Sequence, residues 1–351
     1  IQTAPTIVDL DNNGQLDFVV GTWNFNHLDS IYAFRGDNHT RMWSYPVHDY
    51  MYHGTAVADF DNDGKRELVI GSYNDTLYCI NGENGTTKWK YAGSGGYIGA
   101  PASIADINGD GNCEVVFFSA YVVTALSSSG VHLWHYNIPG YEQSFRGAAL
   151  ADINNDAYLD VIFGTDGGKV IALNGNNGTV IWTKDLAAHY GNPDFGFDHA
   201  PLVADFDNDD SLEVFIVGGY ASYPNFQNDF GRAYMITAGK GVGPDWLMFQ
   251  HDLHRQSSLC VDSTNSLNEI TESISVSVFP NPATNELIIK NAELRIEKVE
   301  IYDVLGQKYN SAFNILNSEL TIDVSSLAPG IYFVAVRDEK NNVVVKKIVK
   351  M

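Results

Sequence analysis

The chain has 351 residues, of which 44% are hydrophobic, enough for about two or three domains with packed cores. Acidic residues number 43 and basic residues 21, so the formal net charge is -22. This balance argues against nucleic acid or an anionic membrane surface as a partner and favours cation binding. No apolar run approaches the ~18 residues of a transmembrane helix, so no transmembrane segment is predicted.

The three cysteines are widely spaced and odd in number: Cys79, Cys113 and Cys260. This pattern predicts buried or incidental thiols, with no disulfide framework and no zinc site. The chain opens at Ile1 with strand-like sequence, without a Met or a signal peptide. We therefore expect a fragment or a processed form.

One phrase recurs five times, and its first acidic residues lie 50, 47, 46 and 53 residues apart, at Asp9, Asp59, Asp106, Asp152 and Asp205. A period in this range is typical of propeller blades. In the second copy an apolar stretch, Thr55–Asp59, leads through a polar turn to Leu68–Ile70. A hairpin with Asn84-Gly85 at its turn follows. Four short strands per repeat predict one blade.

A tryptophan follows the hairpin turn in four copies, at Trp43, Trp89, Trp134 and Trp182. We expect these rings to pack between blades.

Every repeat contains D-x-[DN]-x-[DN]-x-x-x-[DE], numbered here from loop position 1 to position 9. The residues at positions 1, 3, 5 and 9 are Asp9, Asp11, Asn13 and Asp17; Asp59, Asp61, Asp63 and Glu67; Asp106, Asn108, Asp110 and Glu114; Asp152, Asn154, Asp156 and Asp160; and Asp205, Asp207, Asp209 and Glu213. Position 7 offers a backbone carbonyl, from Gln15, Lys65, Asn112, Tyr158 and Ser211. Six to eight oxygens suit Ca²⁺, so the loops predict up to five structural calcium ions.

An EF-hand begins the same way but needs a glutamate at position 12 and flanking helices. Position 12 is apolar in every copy, at Val20, Ile70, Phe117, Phe163 and Ile216. A calcium loop in a β-hairpin therefore fits better than an EF-hand. The alternative is a set of solvated acidic turns without metal. Ala157 and Asp210 replace the glycine at position 6, which predicts weaker fourth and fifth sites.

The repeats resemble the FG-GAP/VCBS family, related to the propeller of integrin α-chains, over residues 1–256. The stretch from Ala58 to Gly71 carries the likeness, although the Phe-Gly and Gly-Ala-Pro elements of integrins are not clearly present. The hairpins are similar to quinoprotein-type blades, but no quinone-binding constellation is readable. The segment Trp246–Arg255 resembles an element of secreted propellers and is expected to help close the ring. Since the family typically has seven or eight blades, we expect further blades upstream.

Residues 257–273 are polar and predict a linker, and residues 274–351 predict about seven short strands in an immunoglobulin-like sandwich. This module resembles the type A sorting domain of the type IX secretion system. The motifs that carry the likeness are Phe279–Pro282, Ile301–Gly306, Leu327–Tyr332 and Lys346–Lys350. The resemblance implies the type IX machinery as a partner and a secreted or outer-surface location in a Gram-negative Bacteroidota-type bacterium.

No catalytic motif is recognisable, and His251 and His254 are interpreted as packing residues in preference to metal ligands. Aromatic residues precede the calcium strands, at Tyr50, Tyr52, Tyr97, Tyr141, Phe145, Tyr190, Phe195 and Phe197. They could hold a glycan or protein ligand on one propeller face, or simply pack between blades.

Two functions follow: a non-enzymatic binding or adhesion module, or the C-terminal part of a larger secreted enzyme such as a polysaccharide lyase, glycosidase or peptidase.

Overall fold

A computed structural model describes residues 3–23, 29–191, 195–221, 224, 227, 229–241, 243–260, 276–291, 296–303, 308–309, 313–316, 319–338 and 343–351. The chain divides into two compact units, Ile1–Val261 and Asp262–Met351. Strands dominate both units, as the sequence predicts. The described helical segments are α1 (Leu186–Tyr190) and a 3₁₀ turn (Pro139–Tyr141).

The first unit contains five antiparallel sheets, one for each repeat, which we call blades 1 to 5. Blade 1 holds β1 (Thr6–Val8), β2 (Asp17–Gly21), β3 (Ser30–Phe34) and β4 (Arg41–Pro46); blade 2 holds β5 (Ala56–Ala58), β6 (Glu67–Gly71), β7 (Thr76–Asn81) and β8 (Thr87–Ala92). Blade 3 holds β9 (Ser103–Ala105), β10 (Glu114–Ser119), β11 (Val122–Leu126) and β12 (His132–Asn137); blade 4 holds β13 (Ala149–Ala151), β14 (Asp160–Gly164), β15 (Lys169–Leu173) and β16 (Val180–Asp185). Blade 5 holds β17 (Leu202–Ala204), β18 (Leu212–Tyr220) and β19 (Phe230–Gly239). Strands pair in chain order within each blade, so the predicted propeller fold is confirmed.

Hydrophobic residues between neighbouring blades form the core. Strands β6 and β10 are buried at every position because each lies in a blade with neighbours on both faces.

The tryptophans join consecutive blades, as predicted. The indole N–H of Trp43 donates to Gly82 O in the next blade at 2.6 Å, and its ring lies where a Cβ on Gly85 would fall. Trp89, Trp134 and Trp182 make the equivalent bonds to Ser128 O, Gly175 O and Ala238 O.

The segment from Trp246 to Cys260, which we call the strap, bonds to the first strands of four blades. The amides of Ile7, Val57 and Ile104 donate to strap carbonyls, each at 2.9 Å. Trp246 pairs with Val203 of blade 5. Backbone groups from blades 1, 2, 3 and 5 therefore converge on one short segment. The strap includes residues 257–260, which the sequence assigns to the linker; residues 261–273 of that linker lie outside the described chain.

The strap ends in a disulfide between Cys113 and Cys260, with Cα atoms 6.3 Å apart and a sequence separation of 147. The prediction of three unpaired thiols is wrong for this pair, because the strap carries Cys260 back to blade 3. The wide sequence spacing hides that proximity. Cys79 is free and fully buried in blade 2, as predicted.

The second unit contains eight described strands in two four-stranded sheets, where about seven strands were predicted. One sheet holds β20 (Val276–Phe279), β21 (Glu286–Asn291), β24 (Phe313–Leu316) and β25 (Glu319–Asp323). The other holds β22 (Ile296–Asp303), β23 (Lys308–Tyr309), β26 (Gly330–Asp338) and β27 (Val343–Lys350). Leu287, Ile322, Val334 and Ile348 meet in one core, as in a sandwich. Val304, Leu305 and Gly306 of the predicted motif lie outside the described residues.

Candidate metal centres and ligand face

All five carboxylate loops join the first strand of a blade to its second, and all five share one hydrogen-bond pattern. The aspartate at position 1 accepts hydrogen bonds from the amides of positions 5 and 6. In blade 2, Asp63 N–H and Gly64 N–H donate to Asp59 at 3.2 and 2.9 Å. The equivalent acceptors are Asp9, Asp106, Asp152 and Asp205. This pattern forms the tight turn that places positions 1 and 3 near the outgoing strand.

The backbone of the turn is left-handed at positions 4 and 6 in every loop. At position 6, φ is 82°, 84° and 85° at Gly14, Gly64 and Gly111. Ala157 and Asp210 adopt the same conformation, with φ of 70° and 66°. The fourth and fifth loops therefore keep the turn but bear the cost of a side chain there, roughly 1–2 kcal/mol.

The acid at position 9 is buried in every loop: Asp17, Glu67, Glu114, Asp160 and Glu213 are at most 5% exposed. Each accepts a hydrogen bond from the amide of position 2, as Phe60 N–H donates to Glu67 Oε2 at 2.8 Å. Burial raises the pKa of each of these acids, to about 7 for Glu114 and Asp160. The hydrogen bonds that these acids accept do not offset the desolvation, so a cation at the loop would stabilise the ionised form.

Positions 1, 3 and 9 converge in three loops. One carboxylate oxygen from each of the three residues lies within 4.8 Å of the others in blades 1, 2 and 5, at Asp9, Asp11 and Asp17; Asp59, Asp61 and Glu67; and Asp205, Asp207 and Glu213. Oxygens about 2.3–2.6 Å from one Ca²⁺ are separated by up to about 5 Å, so this spacing fits calcium. In blades 3 and 4 position 3 is an amide, Asn108 or Asn154, whose oxygen accepts from the position-5 N–H.

The position-5 side chain faces the loop backbone in all five copies. Asn13, Asp63, Asp110, Asp156 and Asp209 each accept a hydrogen bond from the position-7 amide, at 2.8 to 3.0 Å. They are predicted ligands, but they lie outside the groups of converging carboxylates. In each loop this hydrogen bond orients the peptide group at position 7. The position-7 residues are Gln15, Lys65, Asn112, Tyr158 and Ser211.

Two basic side chains reach the carboxylate groups, which the sequence pattern does not reveal. Lys88 on β8 contacts Glu67 at 3.0 Å and Asp61 at 2.5 Å. Arg35 contacts Asp11 at 2.7 Å. Lys88 lies on β8 and Arg35 follows directly after β3, each in the same blade as the loop that it contacts. These contacts therefore depend on how the strands pair in the sheet and not on the spacing within the loop.

Two predicted ligands have a buried oxygen with no hydrogen-bond donor among the described residues, Asp11 Oδ1 and Asp160 Oδ1. An unpartnered carboxylate oxygen at a buried site is costly. The hard oxygen donors at these loops suit Ca²⁺ better than softer transition metals. The residue set therefore fits the predicted ion.

Aromatic rings cluster at the opposite ends of the same strands. Trp23 stacks on Tyr50 with centroids 4.5 Å apart and meets Tyr52 and Tyr73 edge-on. Tyr73 stacks on Tyr97 at 4.9 Å. These five partly exposed side chains form what we call the aromatic face, which spans blades 1 to 3. Trp23 and Tyr73 were not predicted, because each follows the second strand of a blade, whereas the predicted aromatic residues precede a first strand.

Other predicted aromatic residues pack inside the protein. Phe195 and Phe197 are at most 1% exposed and pack within the core of blades 3 to 5. Tyr141, by contrast, is 75% exposed and lies edge-on to Tyr121. The packing interpretation therefore holds for the two phenylalanines and fails for Tyr141.

Arg146 and His53 adjoin the aromatic face. His53 Nε2 lies 2.9 Å from Phe145 O, so this nitrogen carries the proton and donates. Burial and the Arg146 guanidinium lower the pKa of His53 to about 3, which keeps the ring neutral at ordinary pH. Arg146 lies over the Tyr52 ring at 5.5 Å.

The two strap histidines have different surroundings. His251 lies 4.8 Å from the Trp246 ring, and burial lowers its pKa. His254 contributes its backbone carbonyl to Ile7. Within the described residues, no group of three metal-ligating side chains includes either histidine.

Comparison with known families identifies both units. Residues 277–351 match the secretion system C-terminal sorting domain, which implies export by type IX secretion and a secreted or cell-surface location in a Bacteroidota-type bacterium. No curated protein matches the chain. No helix among the described residues combines the length and apolarity that crossing a membrane requires.

Solved structures with a similar fold share little sequence with this chain. BamB from Moraxella catarrhalis is 14% identical, with 100% of this chain and 97% of that chain covered and a TM-score of 0.41. A quinohemoprotein alcohol dehydrogenase from Pseudomonas putida is 13% identical, covering 99% and 62%, with a TM-score of 0.44. The biofilm matrix protein Bap1 of V. cholerae is 15% identical, covering 99% and 67%, with a TM-score of 0.36. Residues 29–233 match the family model described as outer membrane protein assembly factor BamB, and the chain therefore belongs to that propeller family.

Proposed function

We propose that this chain is an exported, calcium-stabilised β-propeller that acts as a non-enzymatic binding or adhesion module, with loops of the FG-GAP/VCBS type. The observation that carries the calcium assignment is the common construction of the five loops. Each places a desolvated carboxylate at position 9 beside the position-1 aspartate. The ions are structural: they tie the first and second strands of a blade together.

The binding role is supported by the aromatic face, which lies at the strand ends away from the calcium loops. Partly exposed rings at the connections between blades can stack on a sugar or cover an apolar patch of a protein. Calcium at one end of the strands would hold the blades in place, while the partly exposed rings at the other end could contact a ligand.

A screen of the secreted chain against glycans and surface proteins tests the binding role. We expect a ligand whose capture weakens in Trp23→Ala and Tyr73→Ala. Tyr302→Ala, in the separate second unit, is the control and should bind normally. Absence of any ligand across both screens, with calcium bound and the protein folded, would contradict the binding role.

A further inference from the structure

A cavity of about 450 Å³ lies beside Arg146, and residues before β17, strands β17 and β18 of blade 5, and Phe249 of the strap complete its lining. Its walls are mostly apolar, from Leu202, Phe215, Val217 and Phe249, and its polar lining comes from Arg146 and His199. A volume of this size and a mostly apolar lining with a few polar groups are typical of small-molecule sites.

Among the described residues, Arg146 has N–H donors for which no acceptor is present. Its Nε donates to Asp198 O at 2.9 Å. Its Nη1 lies 3.2 Å from His53 Nε2, but that nitrogen already donates its proton to Phe145 O, so it cannot accept. None of the ion pairs between described residues includes Arg146.

We infer that this cavity binds a small carboxylate with an apolar or aromatic body, which deepens the proposed binding function and rests on it. A guanidinium stays charged and pairs with a carboxylate through two parallel N–H bonds. The apolar walls accept a hydrocarbon body. A sugar acid fits less well, because its hydroxyl groups would lose water without finding enough partners along these walls.

The site lies at the strand ends away from the carboxylate loops, because Arg146 precedes β13 and the fourth loop follows it. Ligand binding and calcium binding are therefore separable. A carboxylate that bound only through loop calcium would not respond to a change at Arg146.

Isothermal titration of the full chain in calcium, with 3-phenylpropionate, its uncharged amide and galacturonate, tests the inference. We expect 3-phenylpropionate to bind at least tenfold more tightly than the other two. Arg146→Gln should weaken it roughly 10- to 100-fold, since a hydrogen bond to a charged group contributes about 1.5–3 kcal/mol. Arg146→Lys should lie between, because lysine lacks the planar pair of donors. Arg41→Gln, at an exposed arginine of β4, should bind as the parent does.

Equal affinity for the acid and the amide, or unchanged binding in folded Arg146→Gln, would overturn the inference. So would tighter binding of galacturonate, or no binding by the folded parent. If Arg146→Gln does not fold, the comparison of acid with amide on the parent decides. Bound calcium, measured on the same sample, shows separately whether the metal part of the proposed function holds.

Discussion

Removing the disulfide between Cys113 and Cys260 should strongly destabilise the protein, although it changes no residue of the hydrophobic core between the blades. The bond closes a loop of 147 residues, which spans blade 3 from its carboxylate loop, blades 4 and 5, and the strap. Loop-closure entropy for a ring of that length corresponds to about 5 kcal/mol at 25 °C, the upper end of the usual range. The double variant Cys113→Ser/Cys260→Ser should therefore unfold at much lower denaturant concentration than the parent.

The assay is chemical denaturation of both proteins, with and without a reductant. Reduction should shift the parent's unfolding midpoint toward that of the double variant and leave the variant's own midpoint in place. Thiol titration of the unfolded, unreduced parent should find one free thiol, from Cys79. Three free thiols, or a parent midpoint that reductant does not move, would refute the disulfide and the account of the strap built on it.

Three further predictions concern the loops and His53. Ala157→Gly should stabilise the protein by about 1 kcal/mol and Gly64→Ala should destabilise it by a similar amount, because both positions need a left-handed backbone; thermal melts in calcium measure both, and a stabilising Gly64→Ala would contradict the reasoning. Lys88→Met should tighten calcium binding at the second loop, because the ammonium competes for Asp61 and Glu67; calcium titration checks this, and weaker binding would count against it. Since the pKa of His53 is about 3 when folded and near 6.5 when unfolded, His53 should lower the stability as pH drops from 6.5 to 3, by up to about 1.4 kcal/mol per pH unit, when saturating calcium keeps the loop carboxylates ionised. His53→Gln should flatten that part of the stability curve, and a slope identical to the parent's would exclude His53 as its source.

The sequence best predicted the features that depend on residues close together in the chain. The repeats predicted the blades, because each blade is a meander of consecutive strands. The loop pattern likewise predicted the turns, since an aspartate at position 1 binds amides only four and five residues away. The tryptophan contacts followed from their fixed place after each hairpin.

The remaining features depend on distant parts of the chain. Cys260 meets Cys113 only because the strap crosses the first strands of the blades. Lys88 reaches Glu67 across a sheet, at a separation that no loop motif contains. Phe195 is buried whereas Trp23 is partly exposed, although both lie in aromatic connections at the same strand ends. Composition alone cannot distinguish a buried aromatic residue from a partly exposed one, because burial depends on which blade packs beside the residue.

The number of bound calcium ions decides whether the five loops are metal sites. The full chain, stripped with EDTA and titrated with Ca²⁺ in a calorimeter, should bind up to five ions, and elemental analysis after dialysis should find the same number. Each site should add about 2.7 kcal/mol of stability when calcium is at 100 times its dissociation constant, so melting should shift strongly upward on titration. Melting that is identical with EDTA and with calcium, together with no bound calcium, would contradict the account.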